Sequence, residues 1–129
     1  MKYYYLDISV VITIVLDQPR SAEFLNLIKS AKLYSHELLV SECFAVAKRE
    51  EIAFSDMAKA IQEINIVTEI PQLETILEEI LQIGYCRGAD LHHLACAKFL
   101  APDFSIGFLS ADNSQERLAR LLGFPINRA

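Results

Sequence analysis

The sequence holds only four glycines and four prolines among 129 residues. That is too few chain breakers for a turn-rich β architecture, so long regular elements are expected. Cysteine is also scarce, with Cys43, Cys86 and Cys96 alone. An odd set without C-x-x-C spacing supports neither a disulfide framework nor a thiolate zinc site, and it fits a reducing compartment. Long hydrophobic runs are missing too. The stretch from Leu6 to Leu16 is far short of the roughly 20 apolar residues a membrane-spanning helix needs, Asp7 interrupts it, and no small-residue cleavage site follows. A soluble, cytoplasmic protein is expected. Positive charge is the last shortage: 12 Lys and Arg stand against 17 Asp and Glu, a net charge of −5. Such a surface repels phosphate and disfavours nucleic-acid binding through a broad basic face.

What the chain does contain is apolar residues, 53% of the total, which excludes intrinsic disorder. At this length folding buries about two-thirds of the surface of the unfolded chain, so a core forms without disulfide or metal staples. No repeat or low-complexity linker breaks the sequence, and one domain over residues 1–129 is expected.

Short β-favouring runs alternate with helical periods. Tyr3 to Asp7 reads as a strand. Ser9 to Leu16 is β-branched enough to continue it, yet Ser9 as a cap and Pro19 as a stop favour a short buried helix. Ser21 to Ala31 sets Ala22, Leu25, Ile28 and Ala31 on one helical face, and Leu33 with Tyr34 forms a brief strand. His36 to Arg49 and Ser55 to Asn65 read as helices, the second capped by Ser55 with Met57, Ala60, Ile61 and Ile64 facing inward. Ile66 to Ile70 is a strand ended by Pro71. Leu73 to Ile83 is a helix with Leu73, Ile76, Leu77, Ile80 and Leu81 inside and Gly84 as its stop. Ala89 to Leu100 is a helix, Ser105 to Leu109 a strand, and Asn113 to Leu122 a helix closed by Gly123. The alternation predicts an α/β fold, a three-layer α/β/α domain with a central, mainly parallel sheet flanked by helices.

Four carboxylates do not sit on polar faces. Asp7 lies between Leu6 and Ile8 at the end of the first strand, where an unpaired buried charge is costly unless it caps the following helix. Glu42 has Leu38, Leu39, Ala45 and Val46 as its helical neighbours, so it needs an internal partner or a place at the edge of that stripe. Asp90 opens the helix carrying His92 and His93, and Asp112, with Gln115 three residues on, matches a capping box. Capping explains either of the last two alone, but not the set. Ligand sites in such sheets lie beyond the carboxyl ends of the strands, where Asp7 and Asp112 fall and to which the helices can bring Glu42 and Asp90. Oxygen-only ligands so gathered call for a hard counter-ion, Mg²⁺ with Mn²⁺ as substitute. An acidic protein can then grip a phosphodiester through the metal.

Tyr5-Leu6-Asp7-Ile8-Ser9, Glu42 in an apolar helix, Arg87-Gly88-Ala89-Asp90-Leu91-His92-His93-Leu94-Ala95, and Leu109-Ser110-Ala111-Asp112 followed by Leu121-Leu122-Gly123 together resemble the PIN-domain nucleases. Among these the chain looks most like the VapC-type toxins of prokaryotic toxin–antitoxin pairs. The resemblance implies a PIN fold and a Mg²⁺-dependent ribonuclease acting on RNA, commonly a homodimer and held inactive by a cognate antitoxin. It implies Asp7, Glu42, Asp90 and Asp112 as the catalytic, metal-holding cluster, with Ser9 supporting the first carboxylate and His93 in an orienting rather than ligating part. Arg87, Lys98, Arg117 and Arg120 lie near these motifs as candidate RNA-phosphate contacts. Two positions depart from the family pattern: Ile8 stands where Thr or Ser is frequent, and Asn113-Ser114 leaves Glu116, on a helix position open to a solvent-facing reading, as the only further acid beside Asp112. The alternatives are a non-catalytic interaction protein that keeps the fold, and a phosphotransfer domain with Asp7 as acceptor. The second lacks the partner Asp of a D-x-D pair and a Lys at the end of the late strand.

Overall fold

The computed structural model describes residues 2–103 and 105–125. Its strands are Tyr3–Leu6 (β1), Lys32–His36 (β2), Ile64–Val67 (β3) and Gly107–Leu109 (β4). Its helices are Ile8–Val15 (α1), Ser21–Ile28 (α2), Leu38–Arg49 (α3), Phe54–Ile61 (α4), Leu73–Leu81 (α5), Gly88–Leu100 (α6) and Asn113–Leu122 (α7). The strands form one all-parallel sheet in the order β3-β2-β1-β4. Successive strand residues point to opposite faces, and the apolar run of β1 feeds both. Tyr4 and Leu6 join Val10, Val11, Phe24, Leu39, Cys43 and Met57 under α1 to α4, while Tyr5 joins Ile80, Leu94, Phe108 and Leu118 under α5 to α7. This is the three-layer α/β/α arrangement anticipated from the alternation. Among the described residues no helix is long and apolar enough to cross a membrane.

The chain runs outward from β1 to β2 and β3, then returns to place β4 on the other side of β1. Connections therefore leave the carboxyl ends of β1 and β4 in opposite directions, and a crevice opens between them. That crevice positions the site.

Several element limits differ from those read along the sequence. β2 continues through His36 because Leu33 to His36 pairs residue by residue with Ile64 to Val67, so α3 begins at Leu38 rather than His36. The same pairing draws Ile64 out of α4, ends that helix at Ile61, and moves β3 two residues ahead of the expected Ile66 to Ile70. Ser55 does not cap α4; Ala53 stands there without a side-chain bond, and Ala60 is exposed. Helix α2 stops at Ile28 and buries Ser21 and Phe24, leaving Ala22 and Leu25 outside. Helix α5 stops at Leu81, which is exposed. Gly84 packs closely on α7: a Cβ there would lie 2.7 Å from Leu118 Cδ1, so a larger residue would oblige that leucine side chain to shift. Helix α7 has the expected limits, and Gly123 closes it at φ 112°.

Candidate active site

The backbone of β1 hands Asp7 to the N-cap of α1, where its Oδ1 accepts a bond from the Ser9 amide at 3.0 Å. Asp7, rather than Ser9, is thus the cap. The Ser9 hydroxyl donates to the same Oδ1. It also accepts from the Ala111 amide at 2.8 Å and lies 3.2 Å from Ser110 Oγ. The Asp7 amide donates to the Leu109 carbonyl at 3.3 Å. Two loops 102 residues apart in sequence are stitched together by Ser9, which also bonds the Asp7 carboxylate as the resemblance implied.

Asp112 begins the neighbouring helix. Its Oδ1 accepts from the amides of Ser114 (2.8 Å) and Gln115 (3.2 Å), while its own amide donates to Ser110 Oγ at 3.0 Å. Asp90 lies in the first turn of α6. Its carboxyl is held above the ordinary Asp value, first by burial and then by the Asp112 carboxylate, with His93 opposing and Glu42 adding to the rise. Asp7, only 2% exposed, is pushed up to about 6, chiefly by burial; the hydroxyls of Ser110 and Ser9 and the nearby His93 pull it back, and Asp90 pushes it further up. The four predicted carboxylates therefore share one electrostatic neighbourhood.

Glu42 takes the internal partner its apolar surroundings demand. Its Oε1 lies 2.8 Å from His93 Nε2, and its side chain keeps 22% exposure. His93 has none, and its Nδ1 is 2.7 Å from the Tyr5 hydroxyl. Burial holds the Tyr5 phenol well above its ordinary pKa, so the hydroxyl keeps its proton. Donation from Tyr5 to Nδ1 leaves the Nε2 proton for the Glu42 carboxylate, which defines a Tyr5–His93–Glu42 chain across β1, α6 and α3. Tyr5 was hidden as an ordinary strand aromatic. Only its one-residue offset from Tyr4, which sends it to the α6 face, signals this part.

A divalent cation could be held by oxygens of Asp7, Asp90 and Asp112, with Glu42 beside them. The donor chemistry fits: the buried Asp7, the half-buried Asp90 and Glu42 and the exposed Asp112 share a neighbourhood, and none of these three Asp side chains forms an ion pair with Lys or Arg among the described residues. The Asp7 and Asp112 side chains accept hydrogen bonds within their own helix caps, and among the described residues no group of three or more His, Cys, Asp or Glu closes to metal-binding geometry.

The basic candidates separate. Lys98 is paired with Glu79, and Arg120 with Glu116 at 3.3 Å. Arg117 is exposed, and Arg87 is the exposed N-cap of α6, where its charge lowers the Asp90 carboxyl. Glu116 does not face solvent as its position suggested: it is 4% exposed, within the electrostatic reach of Arg20 as well as Arg120. Beside the cluster, a groove of about 870 Å³ runs along His36, Val40, Ile66, Gly88, Ala89 and His92. The Nε2 atoms of His36 and His92 stand 3.2 Å apart in it, and both rings are held below the ordinary His pKa, first by burial and then by neighbouring imidazoles. Nothing in the sequence pairs these two histidines, which are 56 residues apart.

The raised Asp7 carboxyl has a consequence for stability. Its folded value near 6 exceeds the ordinary 3.8, so the proton is held more tightly in the folded state. The contribution is fully present below about pH 4 and is lost as pH rises through 6, a change of about 3 kcal/mol. In chelator, the stability of the wild type relative to Asp7→Asn is expected to fall over that window. Urea unfolding of both proteins from pH 4 to 7 measures it, and parallel curves would contradict it.

The family model for the PIN domain matches residues 4–121 of the chain. Comparison with characterised proteins found no match.

Proposed function

The chain belongs to the PIN domain family, and from that premise we propose that it is a Mg²⁺-dependent endoribonuclease, with Mn²⁺ as substitute, and the toxin of a VapC-type toxin–antitoxin pair. PIN domains are generally nucleases, and they generally use divalent metal ions. What supports the reading is that Asp90 acts electrostatically on Asp7 and Asp112 on Asp90 near the ends of β1 and β4, without an ion-paired Lys or Arg on any of the three among the described residues.

Asp7, Glu42, Asp90 and Asp112 would hold the ion. When bound, it would supply a water of lowered pKa and offset the charge of the phosphodiester. The rest falls to the protein. Ser9 keeps the Asp7 carboxylate turned toward the β4–α7 loop, and His93 holds Glu42 by its Nε2 proton. Arg87 and Arg117 are exposed and would meet RNA phosphates, whereas at Lys98 and Arg120 a phosphate must displace Glu79 or Glu116. The exposed Leu25, Tyr85 and Leu121 offer apolar surface for the proposed protein partners, an antitoxin and a second copy of the chain.

The test is RNA cleavage by the purified protein. Cleavage is expected with Mg²⁺ or Mn²⁺ and is expected to stop with chelator; no cleavage of any RNA with either ion would sink the reading. The second reading, a non-catalytic interaction protein of the same fold, draws on the exposed apolar residues and would then lead.

A further inference from the structure

We propose that Gln115 is the positioning residue of the acidic cluster, fixing α6 against the start of α7 so that Asp90 and Asp112 face one cation. The proposal rests on the nuclease reading of that cluster. Gln115 is 1% exposed. Its backbone amide donates to Asp112 Oδ1 at 3.2 Å, and its side-chain Nε2 donates to the Asp90 carbonyl at 2.8 Å. One residue thus bonds to both acid-bearing segments.

Three observations set this apart from ordinary capping or packing. In a capping box the Gln side chain returns to the N-cap amide; here the Asp112 amide is already bonded to Ser110 Oγ, and the Gln115 side chain crosses to the other helix. The Asp90 carbonyl lies inside α6, where the helix supplies its own donor four residues on, so the second bond is not needed to satisfy it. Facing that carbonyl also fixes the amide orientation, because only the NH₂ can donate. The Gln115 Oε1 is then left buried without a partner among the described residues. An apolar residue of similar volume would fill the same space without that orphan. The tether joins segments whose carboxylates repel each other, since Asp112 helps to raise the Asp90 carboxyl.

Calorimetric titration of the full chain with Mn²⁺ tests this, comparing wild type with Gln115→Met, which keeps volume and loses the bond. The expected result is Mn²⁺ binding weakened by about 10- to 100-fold with Tm changed by only a few degrees. A lowered Tm with Mn²⁺ affinity within threefold of wild type would show a merely structural bond and overturn the proposal alone. Absence of Mn²⁺ binding by the wild type would overturn it together with the nuclease reading. Should Gln115→Met not fold, wild-type protein suffices: Mn²⁺ is expected to broaden the Gln115 side-chain amide resonances well before those of Asn65, which bonds to Leu33 on the far strands. Equal broadening would overturn the proposal.

Discussion

Asp7→Asn is expected to lower metal-dependent RNA cleavage by about a thousandfold, equivalent to about 4 kcal/mol of transition-state stabilisation, while leaving the protein at least as stable as the wild type at pH 7. Asn has the shape of Asp and keeps an oxygen for the Ser9 amide, so the cap of α1 survives. What it loses is the charge. That charge is the part a cation requires, and it is also the part that burial penalises, since Asp7 is 2% exposed and its carboxyl is pushed up to about 6. Loss of activity and gain of metal-free stability should therefore appear in the same variant, a combination that misfolding cannot produce. Cleavage rates with Mn²⁺ and thermal unfolding in chelator measure the two arms. Cleavage within threefold of wild type would remove Asp7 from the metal site.

The second large effect is expected at His93. His93→Ala removes a fully buried ring that bonds on both sides, to Tyr5 at 2.7 Å and to Glu42 at 2.8 Å. It leaves a cavity, a buried phenol hydroxyl short of an acceptor and a carboxylate without its orienting donor. A loss of about 3 kcal/mol is expected, roughly 10 °C in Tm for a domain of this size. Freed from His93, Glu42 can turn toward solvent through its partly open side, and cleavage is expected to fall by about 10- to 100-fold in addition. His93→Gln separates the two effects, because its amide can still donate to Glu42 while surrendering most of the packing. Substantial recovery of cleavage in His93→Gln with Tm still depressed would assign the activity loss to orientation. Equal activity in His93→Ala and wild type at a temperature where both are folded would show that Glu42 needs no orientation.

The signals that were legible in the sequence are local ones. Helix α7 has the limits its cap and stop predict, because Asp112 and Gly123 act on backbone groups one turn away. The isolation of Asp7, Glu42, Asp90 and Asp112 from polar faces was visible for the same reason, since a helical or strand neighbourhood is a matter of three or four residues. Boundaries failed where a distant strand intervened. His36 reads as the start of a helix, but parallel pairing with Val67 gains a backbone ladder bond that helix initiation would forfeit. Leu25 and Ala60 have the periodicity of inner-face residues, yet the sheet lies on another side of their helices. Glu116 looked solvated because its own helix is polar; the fold buries it, pairs it with the exposed Arg120 one turn on and places it within the electrostatic reach of Arg20.

By itself, then, the sequence determined the class of fold, the order of its elements and the identity of the four anomalous acids, because hydrophobic period, capping chemistry and chain breakers act over a few residues. The tertiary structure alone decided who their partners are. Ser9 meets Ala111 across 102 residues, His93 meets Tyr5 across 88 and Glu42 across 51, and Gln115 meets Asp90 across 25. Each of these is a buried or half-buried polar group whose bond is set by where the sheet brings separate strand ends together, and no local pattern encodes that distance.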